Sequence, residues 1–236
     1  MAAMKPTASD RPSRRTVIVA FAGAVLAAVA LVAVALFGRN DANTQATNPT
    51  PVVDLTGIPQ DGRLLGSPDA DVTLIEYADA QCPGCRFYTE EIFPTVADDY
   101  VRPGKVKTEF RGFPFIGPDS VKALRFIYAA GLQDKLWQLQ EALYRNQGGE
   151  NDGWVTEDLL RRVASEIPGL DVDKLVSDAG SAAITEEADA AKGEAEAAGV
   201  PGTPSLLIKI GDAEPYFIQV ATAAQVGAAL DDALQG

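Results

Sequence analysis

Cys82 and Cys85 are the only cysteines in a chain of 236 residues, three positions apart with Pro83 and Gly84 between them. The chain contains no histidine. A structural zinc site needs about four nitrogen or sulfur ligands, so this pair cannot build one alone. A structural disulfide across so short a loop constrains the unfolded chain little. A buried packing pair is the blandest alternative, but Pro-Gly between the sulfurs favours an exposed turn. Thiol–disulfide exchange is the chemistry that suits two thiols at this spacing. If a helix begins at the pair, its unpaired N–H groups and its dipole stabilise a thiolate at the first position. Cys82 is then the exposed nucleophile of lowered pKa, and Cys85, one turn in, the more buried resolving thiol. Pro83 presets a helical φ and has no N–H to leave unpaired. Gly84 gives access to the sulfurs without adding charge.

Two further positions stand out. Glu76 lies in the apolar run "DVTLIEYAD" (71–79), where a carboxyl is costly without a partner or a task. It either pairs with Lys105 or Lys107, or sits at an exposed strand edge, or moves protons to and from Cys85. Thr203-Pro204, in "GVPGTPSLLI" (199–208), opens a strand. An X-Pro bond is mostly trans, and a cis bond is usually a fixed feature of a tight turn.

The elements that must position these residues follow from periodicity. Residues 71–79 form a β-rich run. Val72, Leu74, Glu76 and Ala78 share one face, and Thr73, Ile75 and Tyr77 the other, so the strand is central and buried. A helix runs from 83 to about 100, with Pro94 expected to kink or interrupt it. Residues 105–115 form a second strand. Helices fill 120–198: Val121, Leu124, Ile127 and Tyr128 make one apolar face, Leu132, Leu136, Leu139 and Leu143 another, and Thr156 caps a later helix. Strands return at 204–210 and 216–220. The last helix starts near Thr222 with Val226, Leu230 and Leu234 facing inward. The fold class is α/β, a small mixed fold with a block of helices inserted at 117–198. At the junction of strand and helix, the cysteine spacing reads as a thioredoxin-like redox motif.

The formal net charge is −13. The first fifteen residues carry Lys5, Arg11, Arg14 and Arg15 against Asp10. An acidic body excludes nucleic acid as a partner, since phosphate contacts need clustered Lys and Arg. Thr16 to Phe37 carry no charge. That is the length of an apolar helix crossing a lipid bilayer, and longer than the apolar region of a secretory signal; cleavage after Ala42 or Ala46 is the alternative. The basic residues before it should stay in the cytoplasm and send the body outside, where disulfides persist. Four parts are expected: a cytoplasmic basic segment (1–15), a single transmembrane helix (16–37), an extracytoplasmic linker (38–63) and a catalytic domain (64–236).

Cys82-Pro83-Gly84-Cys85 after "VTLIEYADAQ", the segment "FRGFPFIGPDS", the helical insertion and "GVPGTPSLLI" together resemble the DsbA-like thiol:disulfide oxidoreductases of the thioredoxin superfamily, membrane-anchored bacterial type. The resemblance covers about residues 60–236. It implies that Pro204 is cis and packs beside the cysteines, and that Thr203 offers its backbone to a substrate chain as an added strand. It also places Glu76 where family members carry a buried acid. Strongly oxidising members often carry histidine between the cysteines, and Gly84 departs from that. The implied activity is dithiol oxidation in oxidative folding, with substrate proteins bearing free thiols and a membrane redox partner that restores the disulfide. No cofactor or metal is expected. A disulfide reductase or isomerase, a non-enzymatic binding module and a metal carrier borrowing ligands are the rival readings.

Overall fold

The computed structural model describes residues 53–236. The expected basic segment, transmembrane helix and most of the linker, residues 1–52, lie outside the described residues. Among the described residues no helix is long and apolar enough to cross a membrane.

The core is a six-stranded sheet of order β1-β2-β4-β3-β5-β6. β1 (Gln60–Asp61) and β2 (Leu64–Leu65) make a short hairpin. β3 (Val72–Ala78) lies at the centre, parallel to β4 (Val106–Gly112) and antiparallel to β5 (Ser205–Ile210), whose outer edge carries β6 (Tyr216–Ile218). All seven β3 residues are buried, as expected of a strand apolar on both faces. Leu74 and Ala78 pack into the main core, while Ile75 and Tyr77 join Phe113, Ala195, Val200 and Leu207 on the other face.

The cysteine helix, α1 (83–101), runs through Pro94 without ending. Its α-helical turns Pro83–Phe87 and Phe93–Val96 alternate with wider π turns at Tyr88–Ile92 and Ala97–Val101. Pro94 has no N–H for the usual bond, and widening the turn before it lets the helix carry on. Between β4 and β5 stand five helices: α2 (Pro118–Gly131), α3 (Leu136–Arg145), α4 (Glu157–Ser165), α5 (Val172–Ala179) and α6 (Ala182–Ala197). Thr156 caps α4 by accepting a hydrogen bond from Leu159 N. The last helix, α7 (Ala223–Gln235), packs on β3 and β5. The chain is thus an α/β fold with a helical insertion.

Three expectations need correction. Leu132 is 60% exposed because α2 ends at Gly131 and the chain turns through Asp134 at positive φ before α3 begins. Leu234 is 40% exposed, and Ala233 takes the inward position beside Val226 and Leu230. At about 100° per residue, steps of four drift off a face, whereas position 233, two turns beyond 226, returns to it. The packed domain also begins before residue 64. Val53, Leu55 and Ile58 are buried while Asp54, Thr56 and Gly57 are exposed, so residues 53–58 lie against the core instead of hanging free.

Candidate active site

β3 ends at Ala78, and the chain turns through Asp79, Ala80 and Gln81 into α1. The Asp79 side chain organises this turn. Its Oδ1 accepts from Gln81 N at 2.9 Å, and its Oδ2 accepts from Phe115 N and Ile116 N, both at 3.1 Å. Cys82 is the N-cap residue, extended at φ −75° and ψ 118°, with Pro83 in the first helical turn.

The two thiols meet opposite surroundings. Cys82 is 7% exposed and Cys85 0%. Cys82 is therefore more covered than the sequence suggested, because the loop before β5 lies across it. Cys82 Sγ donates to the carbonyl oxygen of Thr203 at 3.2 Å, and the Thr203-Pro204 bond is cis. Gly84 keeps that approach open: a Cβ there would sit 3.0 Å from Pro204 Cδ and 3.6 Å from Cys82 Sγ. The Cys82 thiol is pushed down to about 6. The Cys85 thiol contributes most by hydrogen-bonding the Cys82 sulfur. The Thr203 side chain and the backbone N–H groups of Cys85 and Gly84 help, against the opposing effect of burial. The Thr203 hydroxyl is buried with no hydrogen-bond partner, which leaves its proton free to turn to a Cys82 thiolate. Burial, then the neighbouring Cys82 sulfur, push the Cys85 thiol well above its ordinary value.

Glu76 is 1% exposed in the middle of β3, paired in register with Phe110 and Leu206. Neither candidate lysine reaches it. Lys107 Nζ donates to Pro68 O at 2.9 Å, and Lys105 lies over the Tyr100 ring. Parallel register puts Lys107 opposite Thr73, at the far end of the strand. Its hydrogen bond comes from the insertion: Gln140 Nε2 donates to Glu76 Oε1 at 3.2 Å. Burial pushes Glu76 up to about 8, with the Gln140 bond acting the other way.

Gln140 belongs to a set of polar residues that the sequence did not single out. Along and just past α3, Tyr144 Oη donates to Asp79 O at 3.3 Å, and Gln147 Nε2 donates to Ala80 O at 2.8 Å and Cys82 O at 3.1 Å. The Gln81 amide bonds Ser120 Oγ and Asn151 Oδ1, and Asn151 N donates back to Gln81 Oε1 at 2.6 Å. The insertion thus grips the backbone of the cysteine turn. Their only sequence signal was an uncharged polar residue recurring every three or four positions on a helix that is otherwise apolar on that side.

The structure therefore gathers Cys82, Cys85, Pro83, Gly84, Thr203 and Pro204 at one point, with Glu76 beneath. A polarised dithiol, one sulfur disposed to be anionic and the other to be protonated above a buried acid, can exchange disulfides. The thioredoxin family matches residues 59–232. A Bacillus cereus protein named probable disulfide bond formation protein D is 35% identical over 156 residues, which cover 65% of this chain and 72% of that one. Two crystal structures share the fold at 22% identity. BdbD from Bacillus subtilis, in its oxidised form, has a TM-score of 0.66 over 76% of this chain and 98% of that one. Alpha-DsbA1 from Wolbachia pipientis has a TM-score of 0.63 over 78% and 94%.

Proposed function

The chain belongs to the thioredoxin family and is a DsbA-like thiol:disulfide oxidoreductase, and from that premise we propose that it oxidises dithiols of substrate proteins outside the cytoplasm through Cys82 and Cys85. The observation that carries the direction is the asymmetry of the two thiols, with Cys82 at about 6 and Cys85 raised. At pH 7 a thiol of pKa about 6 is ionised roughly ten to one. Stabilising that thiolate stabilises the reduced enzyme, and a factor of ten is worth about 30 mV towards an oxidising couple.

In the forward reaction a substrate thiolate attacks Cys82 Sγ of the Cys82–Cys85 disulfide. That bond breaks, a mixed disulfide forms on Cys82, and Cys85 leaves as a thiolate. Glu76, protonated at pH 7 because burial holds it at about 8, supplies the proton that makes Cys85 a thiol. The substrate's second thiolate then attacks its own sulfur in the mixed disulfide, and Cys82 leaves as the stabilised thiolate. The substrate loses two electrons and the enzyme gains them. Thr203 presents its backbone beside Cys82, where an extended substrate segment pairs with it. Pro83 and Gly84 shape the opening.

The apolar stretch 16–37 behind a basic segment supports a single-pass anchor in the cell membrane, N-terminus in the cytoplasm. Residues 38–52 then tether the catalytic domain near a membrane redox partner that takes the two electrons and restores the disulfide. The test is Cys85→Ala, which leaves Cys82 able to form the mixed disulfide in exchange with an oxidised partner but removes the internal escape. Trapped adducts with secreted thiol proteins are expected, together with a couple for the unmodified protein well above the −270 mV or so of thioredoxin. No adducts in the presence of such proteins, or a couple at or below that value, overturns the oxidase reading.

A further inference from the structure

Beside Glu76 lies a cavity of about 10 Å³, room for one water. Glu76, Gln140, Thr89 and Trp137 line it. Gln140 Oε1 and Trp137 Nε1 are both buried without a hydrogen-bond partner. A water needs two to four polar neighbours in such a site, and the side chains lining this cavity carry a carboxyl, a carbonyl oxygen, an indole N–H and a hydroxyl. Val53 and Leu55 line the same cavity, though they stand more than twenty residues before Glu76 and outside every helix and strand. Both are buried, and Asp54 and Thr56 between and beyond them face out. The segment is clasped by Arg102, the residue that follows α1. Arg102 Nη1 donates to Thr56 O at 3.0 Å, its Nη2 donates to Asp54 O, and its Nε bonds Asp98 Oδ1 at 3.1 Å.

We propose that residues 53–58 are a working part of the redox centre: they seal the Glu76 cavity, keep bulk water out, and so set how tightly Glu76 holds the proton it passes to Cys85. Leu55 and Val53 are positioning residues that act through Glu76, and Arg102 is the clasp that holds them down. The inference rests on the proton role assigned to Glu76 above. The groups facing Glu76 leave the seal as the element free to vary. From α1 come Cys85, its pKa raised by burial, then by the Cys82 sulfur and least by Glu76, and Tyr88, raised by burial and then by Glu76. From α3 come Gln140 and Tyr144, and Glu141 also lines the cavity, bridged to Arg145 at 3.6 Å. Neighbouring strands present Phe110 and Leu206, and α7, which packs on β3, buries Val226, Leu230 and Ala233, all uncharged. Val53 and Leu55 add to the burial that holds the proton on the carboxyl, against the Gln140 bond that acts the other way.

The experiment follows the Glu76 carboxyl by 13C NMR across pH in the reduced protein, with Cys82 followed separately by thiolate absorbance. Leu55→Ala is expected to make Glu76 at least tenfold more acidic and to leave the Cys82 titration in place. Leu55→Met, which refills the space, restores the original curve, and Arg102→Gln gives a smaller shift in the same direction. A folded Leu55→Ala protein whose Glu76 titrates as in the unmodified chain overturns the seal. Should Leu55→Ala fail to fold, Arg102→Gln decides by the same readout. The two readings separate cleanly. If Glu76→Gln slows exchange while the Leu55 and Arg102 variants leave the Glu76 titration unmoved, the seal alone is wrong. If Glu76→Gln leaves exchange at its original rate, the proton role itself falls.

Discussion

Cys82 and Cys85 stand one helical turn apart and are the same side chain, yet the fold treats them oppositely. Around Cys82 it supplies what an anion wants: a thiol, a hydroxyl and two backbone N–H groups around the sulfur. Around Cys85 and Glu76 burial dominates, relieved by the Gln140 amide and by the few polar side chains that line the small cavity. The first environment is built by the first turn of α1 together with Thr203 from the loop before β5, the second by the inserted helices and by residues 53–58. Charge is welcome on one side of the turn and resisted on the other. The lesson is that a redox pair is polarised by what packs on each sulfur, with no charged residue needed between them; Gly84 occupies the place where a histidine could have done part of that work.

Changing the dry side should have the largest effect. The folded value of Glu76, about 8, lies above its ordinary 4.5, so the folded state holds the proton more tightly than the unfolded chain does. The carboxyl costs nothing below about pH 4.5 and its full penalty above about 8. Glu76→Gln removes the ionisation and should stabilise the protein by about 2–5 kcal/mol at pH 9, with the gain fading towards pH 4. Denaturant melts at both pH values measure this; an equal difference at both would show that burial does not resist the charge.

The bridge between the two environments comes next. Gln147→Leu leaves the carbonyls of Ala80 and Cys82 without their side-chain donor and should cost about 1–3 kcal/mol, with Cys82 still ionising near its original pH. A stability unchanged within about 0.5 kcal/mol, the usual scatter of surface substitutions, means the insertion does not hold the turn. The smallest expected change is on the wet side. Thr203→Val removes the hydroxyl beside Cys82 and should raise its pKa by up to about one unit, or roughly 1.4 kcal/mol. Thiolate absorbance against pH reads it directly, and a lowered value contradicts the assignment of that hydroxyl as a donor.

How much of this was legible beforehand depended on range. β3 was readable because seven consecutive residues are apolar or β-branched apart from one acid, and that exception marked Glu76 as special. The cysteine turn was readable because its chemistry is local. The cis bond at Thr203-Pro204 came only through the family resemblance, since local preference favours trans. Gln140, Tyr144 and Gln147 were not readable. Their bonds to Glu76, Asp79, Ala80 and Cys82 span more than sixty residues, and a glutamine on a helix looks alike in sequence whether it meets water or a buried carboxyl. Residues 53–58 were read as linker for a similar reason: an alternating Val-Asp-Leu-Thr is too short to announce that half of it is covered.

Trp137 lies in the wall beside Glu76, and its ring stacks on Phe93 with centroids 5.5 Å apart and planes within 9°. Indole emission responds to nearby charge and water. With Trp154 the only other tryptophan in the chain, a Trp154→Phe background turns Trp137 into a native optical sensor. Each gain or loss of a proton at the buried carboxyl can then be watched in real time during turnover, with no dye attached.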